Sequence, residues 1–193
     1  MKVSEKQANR RREIAKAVSD VIRVSDIESI TVDDICSAAG IAKGTFYHYF
    51  TSKDQLWNEI CYPIDDFFDS LREDILSCED FEEAIAQYAK NYAIYVTTTG
   101  MIMCHTVIQT IISNNNSHFV DRARSVNSVL AEILQRGQER KQVTESLSVE
   151  EMTDMLLLTC RGYILNCCST HEMDDLEDKI VTHLGLLAHS FRA

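Results

Sequence analysis

Between Thr31 and Asp54 the sequence starts, stops and restarts a helix, in segments too short to be stable alone. Thr31-Val-Asp-Asp-Ile35 opens with a residue suited to cap a helix, and Ile35 with Ala38 or Ala39 supplies its inward face. Gly40 ends that helix, because glycine tolerates the left-handed backbone such an ending needs. A second short helix follows at about 43–48, and Ser52-Lys-Asp-Gln55 has the pattern of a capping box opening another. Helices this short persist only by packing on one another. Their order fits a helix-turn-helix, in which the second helix lies in the major groove of DNA.

The rest of the chain carries nothing that would interrupt helices for long. One proline and six glycines are spread over 193 residues, and no convincing strand alternation or internal repeat is present. A first helix is predicted from about Arg10 to Ser25, burying Ile14, Ala17, Val18, Val21 and Ile22. After Ser52 the apolar positions Leu56, Ile60, Ile64, Phe67, Phe68, Leu71 and Ile75 run through Pro63, which predicts a kink or break near Cys61-Tyr62. Five further helices are predicted at about 80–98, 101–113, 117–140, 148–169 and 174–191. Asp80 with Glu83, Ser148 with Glu151 and Asp174 with Glu177 are placed to cap three of them. The expected fold is all-α: an N-terminal three-helix DNA-binding head at 1–60, and a larger helical ligand-sensing and dimerisation domain at 61–193, about nine helices in all.

The net charge of −11 speaks against nucleic acid only until it is divided. Residues 1–60 hold nine Lys/Arg and nine Asp/Glu, whereas residues 61–193 hold ten and twenty-one, so the acidity belongs to the rear. The front can present a local basic face from Arg10, Arg11, Arg12 and Lys16, extended by Lys43 and Lys53. Overall acidity should sharpen the salt dependence of binding and discourage loose attachment. The polar amino terminus lacks the apolar stretch of a secretory signal, and no apolar run is long enough for a membrane span. A cytoplasmic protein is expected, and its seven cysteines are most simply reduced thiols.

Ile41-Ala-Lys-Gly-Thr-Phe-Tyr-His-Tyr-Phe-Thr-Ser-Lys-Asp-Gln-Leu56, preceded by Thr31-Val-Asp-Asp-Ile35 and Ala39-Gly40, resembles the DNA-binding head of the TetR/AcrR family of bacterial regulators over roughly residues 10–60. The resemblance implies a homodimer, usually a repressor, released from a palindromic DNA operator when a small molecule binds the rear domain. It departs from the family pattern at Ala42, where serine is common, and at Cys36, where alanine is frequent. Alanine can neither cap the recognition helix nor reach a phosphate. The helical pattern itself turns Phe46, Tyr49 and Phe50 inward and leaves Lys43, Thr45, Tyr47 and His48 outward, with Gly44 removing a side chain where DNA would approach. The predicted DNA-binding residues are Thr31, Lys43, Gly44, Thr45, Tyr47, His48 and Lys53. His48 would serve equally well as a structural histidine.

The rear half is less legible. Tyr88, Tyr92 and Tyr95 recur at helical spacing, followed by Met101, Met103, His105, Phe119 and Arg122, a set able to line a pocket for a flat or hydrophobic effector. An ordinary core would carry the same stripe. Met155, Leu156, Ile164, Leu184, Leu187 and Phe191 are predicted to meet a second copy of the chain, because Leu156-Leu-Leu158 is apolar on successive positions. A second reading makes Cys160, Cys167, Cys168 and His171 a thiol or metal sensor, since Cys167 to His171 is one helical turn. A third, a helical enzyme, finds no phosphate loop, nucleophile elbow or metal-hydrolase signature. No catalytic residue, cofactor or resident metal is predicted.

Overall fold

A computed structural model describes residues 5–22, 29–59, 63–113 and 121–193. Ten helices are found among them, and they fall into two compact units.

The first unit combines the front of the chain with residues 102–120. Its helices are α1 (Glu5–Ile22), α2 (Val32–Ala39), α3 (Lys43–Tyr49), α4 (Lys53–Glu59) and most of α7 (Met101–Ser113). Ile14, Ala15, Val18, Ile30, Ile35, Phe46, Phe50, Leu56 and Met103 form its core. Along α1 the buried stripe is turned toward Ala15, and Ala17, expected inside, is exposed; the side chains of Val21 and Ile22 lie outside the described residues. On α2 it is Cys36 that joins Ile35 in the core, with Ala39 packed at its edge and Ala38 exposed. The helix expected at 101–113 forms as α7, yet it places Met103 and Val107 against the head core instead of the rear domain. Periodicity shows that a helix buries a face and not which body receives it.

Capping explains why these helices begin where they do. The Thr31 hydroxyl accepts from Asp34 N, and Asp34 returns its carboxylate to Thr31 N at 2.8 Å, closing a capping box on α2. Gly40 ends α2 at φ 61°, and its amide bonds back to the carbonyls of Cys36 and Ser37. Before α4 the Gln55 side chain accepts from Thr51 N at 3.0 Å, one residue earlier than the box centred on Ser52.

The second unit holds α5 (Pro63–Leu76), α6 (Phe81–Thr99), α8 (Ser125–Glu139), α9 (Val149–Thr170) and α10 (Leu176–Ser190). α4 ends at Glu59 and Pro63 opens α5, the position where a missing amide donor costs nothing. The expected kink at Cys61-Tyr62 lies outside the described residues. Asp80 caps α6 through the amides of Glu82 and Glu83, and Ser148 with Glu151 forms a reciprocal box on α9. Two expected starts are displaced. α8 begins at Ser125, since residues 121–124 form a turn, and α10 follows Asp175, whose φ of 58° leaves Asp174 and Glu177 out of capping register. α10 runs against α6 and α9, and α8 packs on both of the latter. A Cβ added at Gly137 of α8 would stand 2.5 Å from Val143 Cγ2, so glycine lets the following turn fold back closely. That turn is clasped to the C-terminal residues through an isolated Val143–Arg192 bridge and a Thr144 N to Phe191 O hydrogen bond.

Candidate nucleic-acid interface

The surface of α3 is defined by what lies beneath it. Phe46 and Phe50 are completely buried and stack at 5.4 Å, fixing the rotation of the helix on the head core. Tyr49 packs at the edge of the same cluster. The Arg11 guanidinium sits 5.0 Å above the Phe50 ring, and its Nε makes an oblique ionic contact of 2.7 Å with the buried Glu59 carboxylate. Burial pushes the Glu59 pKa up and the nearby Arg11 charge pulls it part of the way back. Arg11, expected on the basic face, is thus a clamp on the core.

With that face locked, Lys43, Gly44, Tyr47 and His48 are exposed and Thr45 is half-buried. Tyr47 stands 55% exposed. His48 keeps edge contact with Tyr49 at 4.9 Å. A Cβ at Gly44 would meet nothing within 4 Å, so nothing inside the protein requires glycine there. Ala42 gives α3 no side-chain cap, as its sequence departure implied.

Two lysines and one hydroxyl on or beside this face already have partners. Lys43 Nζ lies 2.8 and 2.9 Å from the two carboxylate oxygens of Asp33, and this hydrogen-bonded pairing raises the lysine pKa. Lys53 Nζ donates to the Ile30 carbonyl at 2.7 Å, tying α4 to the segment before α2. The Thr31 hydroxyl donates to Asp34 Oδ2 at 2.6 Å, and this bond with the Thr31 amide holds the Asp34 pKa below its ordinary value. The start of α2 therefore carries its own anion.

Residues 20–60 match the family model described as "Bacterial regulatory proteins, tetR family". A stretch of 72 residues is 35% identical to the HTH-type transcriptional repressor KstR2 of Rhodococcus jostii, covering 37% of this chain and 35% of that one. KstR2 of Mycolicibacterium smegmatis is 36% identical over 64 residues, covering 33% of this chain and 30% of its own. The chain thus aligns with about a third of the length of these relatives. The fold likeness extends over nearly the whole chain. FadR of Bacillus subtilis, solved with stearoyl-CoA, superposes with a TM-score of 0.73 at 21% identity, covering 91% of this chain and 96% of that one. The FadR repressor of Thermus thermophilus, solved with lauroyl-CoA, gives 0.70 at 18% identity and covers 92% of each chain. The front of the chain, residues 20–60, matches the TetR family. At these identities the solved structures establish the TetR fold and no more.

In the second unit, the residues expected to line a pocket are only partly brought together. Tyr88 is wholly buried, stacks on Phe68 at 4.6 Å and donates its hydroxyl to the Val126 carbonyl at 2.7 Å. Tyr92 lies 6.2 Å from Tyr88, and Tyr95 lies 5.3 Å from Phe67. Arg122 is on the surface, paired with Asp154 at 3.1 Å. Met101 is half-buried, His105 is exposed in the unit that holds the head, and Phe119 lies outside the described residues.

Sequence reasoning missed a polar group beside the tyrosines. Asp65 of α5 is buried, pairs with the buried Arg124 Nε at 2.9 Å and accepts from Val126 N at 3.2 Å, capping α8 from outside. Arg161 of α9 donates to Asn127 Oδ1 at 3.3 Å and is desolvated enough to lower its pKa; Tyr92, Tyr88, Arg124 and Cys160 face it. The available signal was one acid at an inward position of α5, among Ile64, Phe67 and Phe68.

Cys160, Cys167 and Cys168 are buried, His171 is exposed, and among the described residues no three metal-binding side chains converge. Burial pushes the Cys160 thiol up to about 12 and raises Cys167 and Cys168 as well. Of the residues expected at a subunit interface, Leu156, Leu184 and Phe191 are consumed by the protomer's own core, and Ile164 and Leu187 are half-buried. Among the apolar side chains left outside, Met155, Leu158 and Leu165 share one face of α9, and Leu186 of α10 and Ile94 of α6 are exposed as well. Gly162 lies in the same α9 row, with open space around it. Among the described residues no helix is long and apolar enough to cross a membrane.

Proposed function

We propose that this protein is a TetR-family, sequence-specific repressor that binds a palindromic operator as a homodimer and releases it when an amphipathic small molecule occupies the rear unit. One observation carries the DNA reading: Phe46 and Phe50 anchor α3 from below while Lys43, Thr45, Tyr47 and His48 face outward beside the bare Gly44 backbone. Such a surface supplies one charge for phosphate and several hydrogen-bonding groups for base edges. Thr31 and Lys53 flank it and would join the contacts by exchanging their internal partners for phosphate. Replacing Lys43 and Tyr47 together by alanine is expected to abolish operator binding and leave thermal stability nearly unchanged; retained binding overturns the recognition-helix assignment.

The proposed dimer face is Met155, Leu158, Gly162 and Leu165, which repeat on one face of α9 at helical spacing. Leu158→Glu should sediment as a monomer, and an unchanged mass places the interface elsewhere. For the effector, Arg161 puts a desolvated cation beside Tyr88 and Tyr92, and two TetR-fold structures were solved with acyl-CoA molecules. A long-chain acyl thioester, its chain against the aromatic cluster and its polar end toward Arg161, fits that chemistry. Stearoyl-CoA should then raise the melting temperature where free coenzyme A does not, because a ligand that prefers the folded state stabilises it. Equal effects of the two exclude an acyl-chain site.

A further inference from the structure

The cation that opens α3 already has a carboxylate partner. Lys43 Nζ is gripped by both oxygens of Asp33, at 2.8 and 2.9 Å, and Asp33 belongs to the first turn of α2, on the other side of the Gly40 turn. Both side chains are exposed, 56% for Lys43 and 70% for Asp33, so an incoming anion can reach the lysine that the carboxylate holds. Exposed ion pairs are weak. The pair can therefore be exchanged for phosphate, and Asp33 acts as a competitor without locking the lysine away.

We propose that Asp33 is a specificity-determining residue that competes with DNA phosphate for Lys43, so that Lys43 adds affinity only where α3 is already seated. The proposal rests on the reading of α3 as the helix that enters the groove. Attachment to random duplex is almost entirely phosphate electrostatics, whereas at an operator base contacts also hold the helix in place. A carboxylate beside the lysine penalises the first kind of binding in larger proportion. Thr45, Tyr47 and His48 supply the contacts that seat α3, and the swap from Asp33 to phosphate follows.

The test uses the full chain, an operator duplex selected from a random pool, and an unrelated duplex of equal length. Wild type, Asp33→Asn, Lys43→Ala and the double variant are titrated across a range of salt. Asp33→Asn should bind the unrelated duplex about fivefold more tightly, with a salt slope steeper by about 0.9 for the extra phosphate neutralised. The gain on the operator should be smaller, and neither effect should appear in the Lys43→Ala background. An unchanged slope, or an equal gain without Lys43, overturns the proposal. Asp33→Ser, which keeps a residue favourable near a helix start, repeats the comparison if the asparagine variant folds poorly. Lys43→Ala weakening binding while Asp33→Asn changes nothing removes Asp33 alone. Failure of every variant and the wild type to prefer any duplex removes the DNA reading and this proposal with it.

Discussion

Both units set an ion pair against an aromatic cluster, and they differ in where the remaining charge lies. In the head, Arg11 and the buried Glu59 clamp the floor of Phe46 and Phe50, while Lys43 of α3 stays outside, paired with Asp33. In the rear unit, Phe68, Tyr88 and Tyr92 stack next to a buried Asp65–Arg124 pair and a further desolvated cation, Arg161. A charge left on the outer surface suits recognition of a large charged partner. A second desolvated cation beside aromatic rings suits a small molecule that must be enclosed.

The comparison breaks most sharply by attacking each layer. Asp65→Ala strands a buried guanidinium and is expected to destabilise the rear unit by about 3–5 kcal/mol. Phe46→Ala should cost the head a similar ~3–5 kcal/mol through a cavity alone. Denaturant melts monitored within each unit distinguish them: a loss under about 1 kcal/mol at Asp65 would mean the pair is not enclosed as described. Next in size is the rear thiol. With its pKa near 12, Cys160 in the folded protein should react with iodoacetamide at pH 8 on the order of a thousandfold more slowly than an ordinary cysteine. Rapid native labelling would revive the thiol-sensor reading.

The smallest effect sharpens the head side. Hydrogen bonds from Thr31 lower the Asp34 pKa in the folded state relative to its ordinary 3.8. The cap is therefore fully stabilising above the unfolded value and is lost as acid carries the pH down through the folded one. Acid unfolding of Asp34→Asn should show a correspondingly flatter pH dependence below pH 4; a profile identical to wild type would mean the box is not made in solution.

How far each region could be read from sequence follows from the same contrast. The head was legible because its rules are local: Thr31 with Asp34 starts a helix, Gly40 stops it, and the i, i+4 pair Phe46 and Phe50 faces inward. The rear helices were legible as helices but not as partners. Met103 packs into the head because apolar periodicity carries no address, and Leu156, Leu184 and Phe191 turned inward because a wide apolar face does not say which side meets its own protomer. Asp65 and Arg124 are 59 residues apart, and nothing local in either joins them. The Lys43–Asp33 pair also escaped notice, because lysine near a recognition helix suggests DNA and conceals an internal partner.

If the outward face of α3 reads double-stranded DNA, once per protomer of a two-fold assembly, selection of duplexes by the wild-type protein from a random-sequence pool should enrich an imperfect palindrome. Its half-sites should lie ~34–36 Å apart, or at a multiple of that spacing, on one face of the helix. Repeated rounds that enrich no sequence above the starting pool, at low as well as moderate salt, would rule out that role for α3.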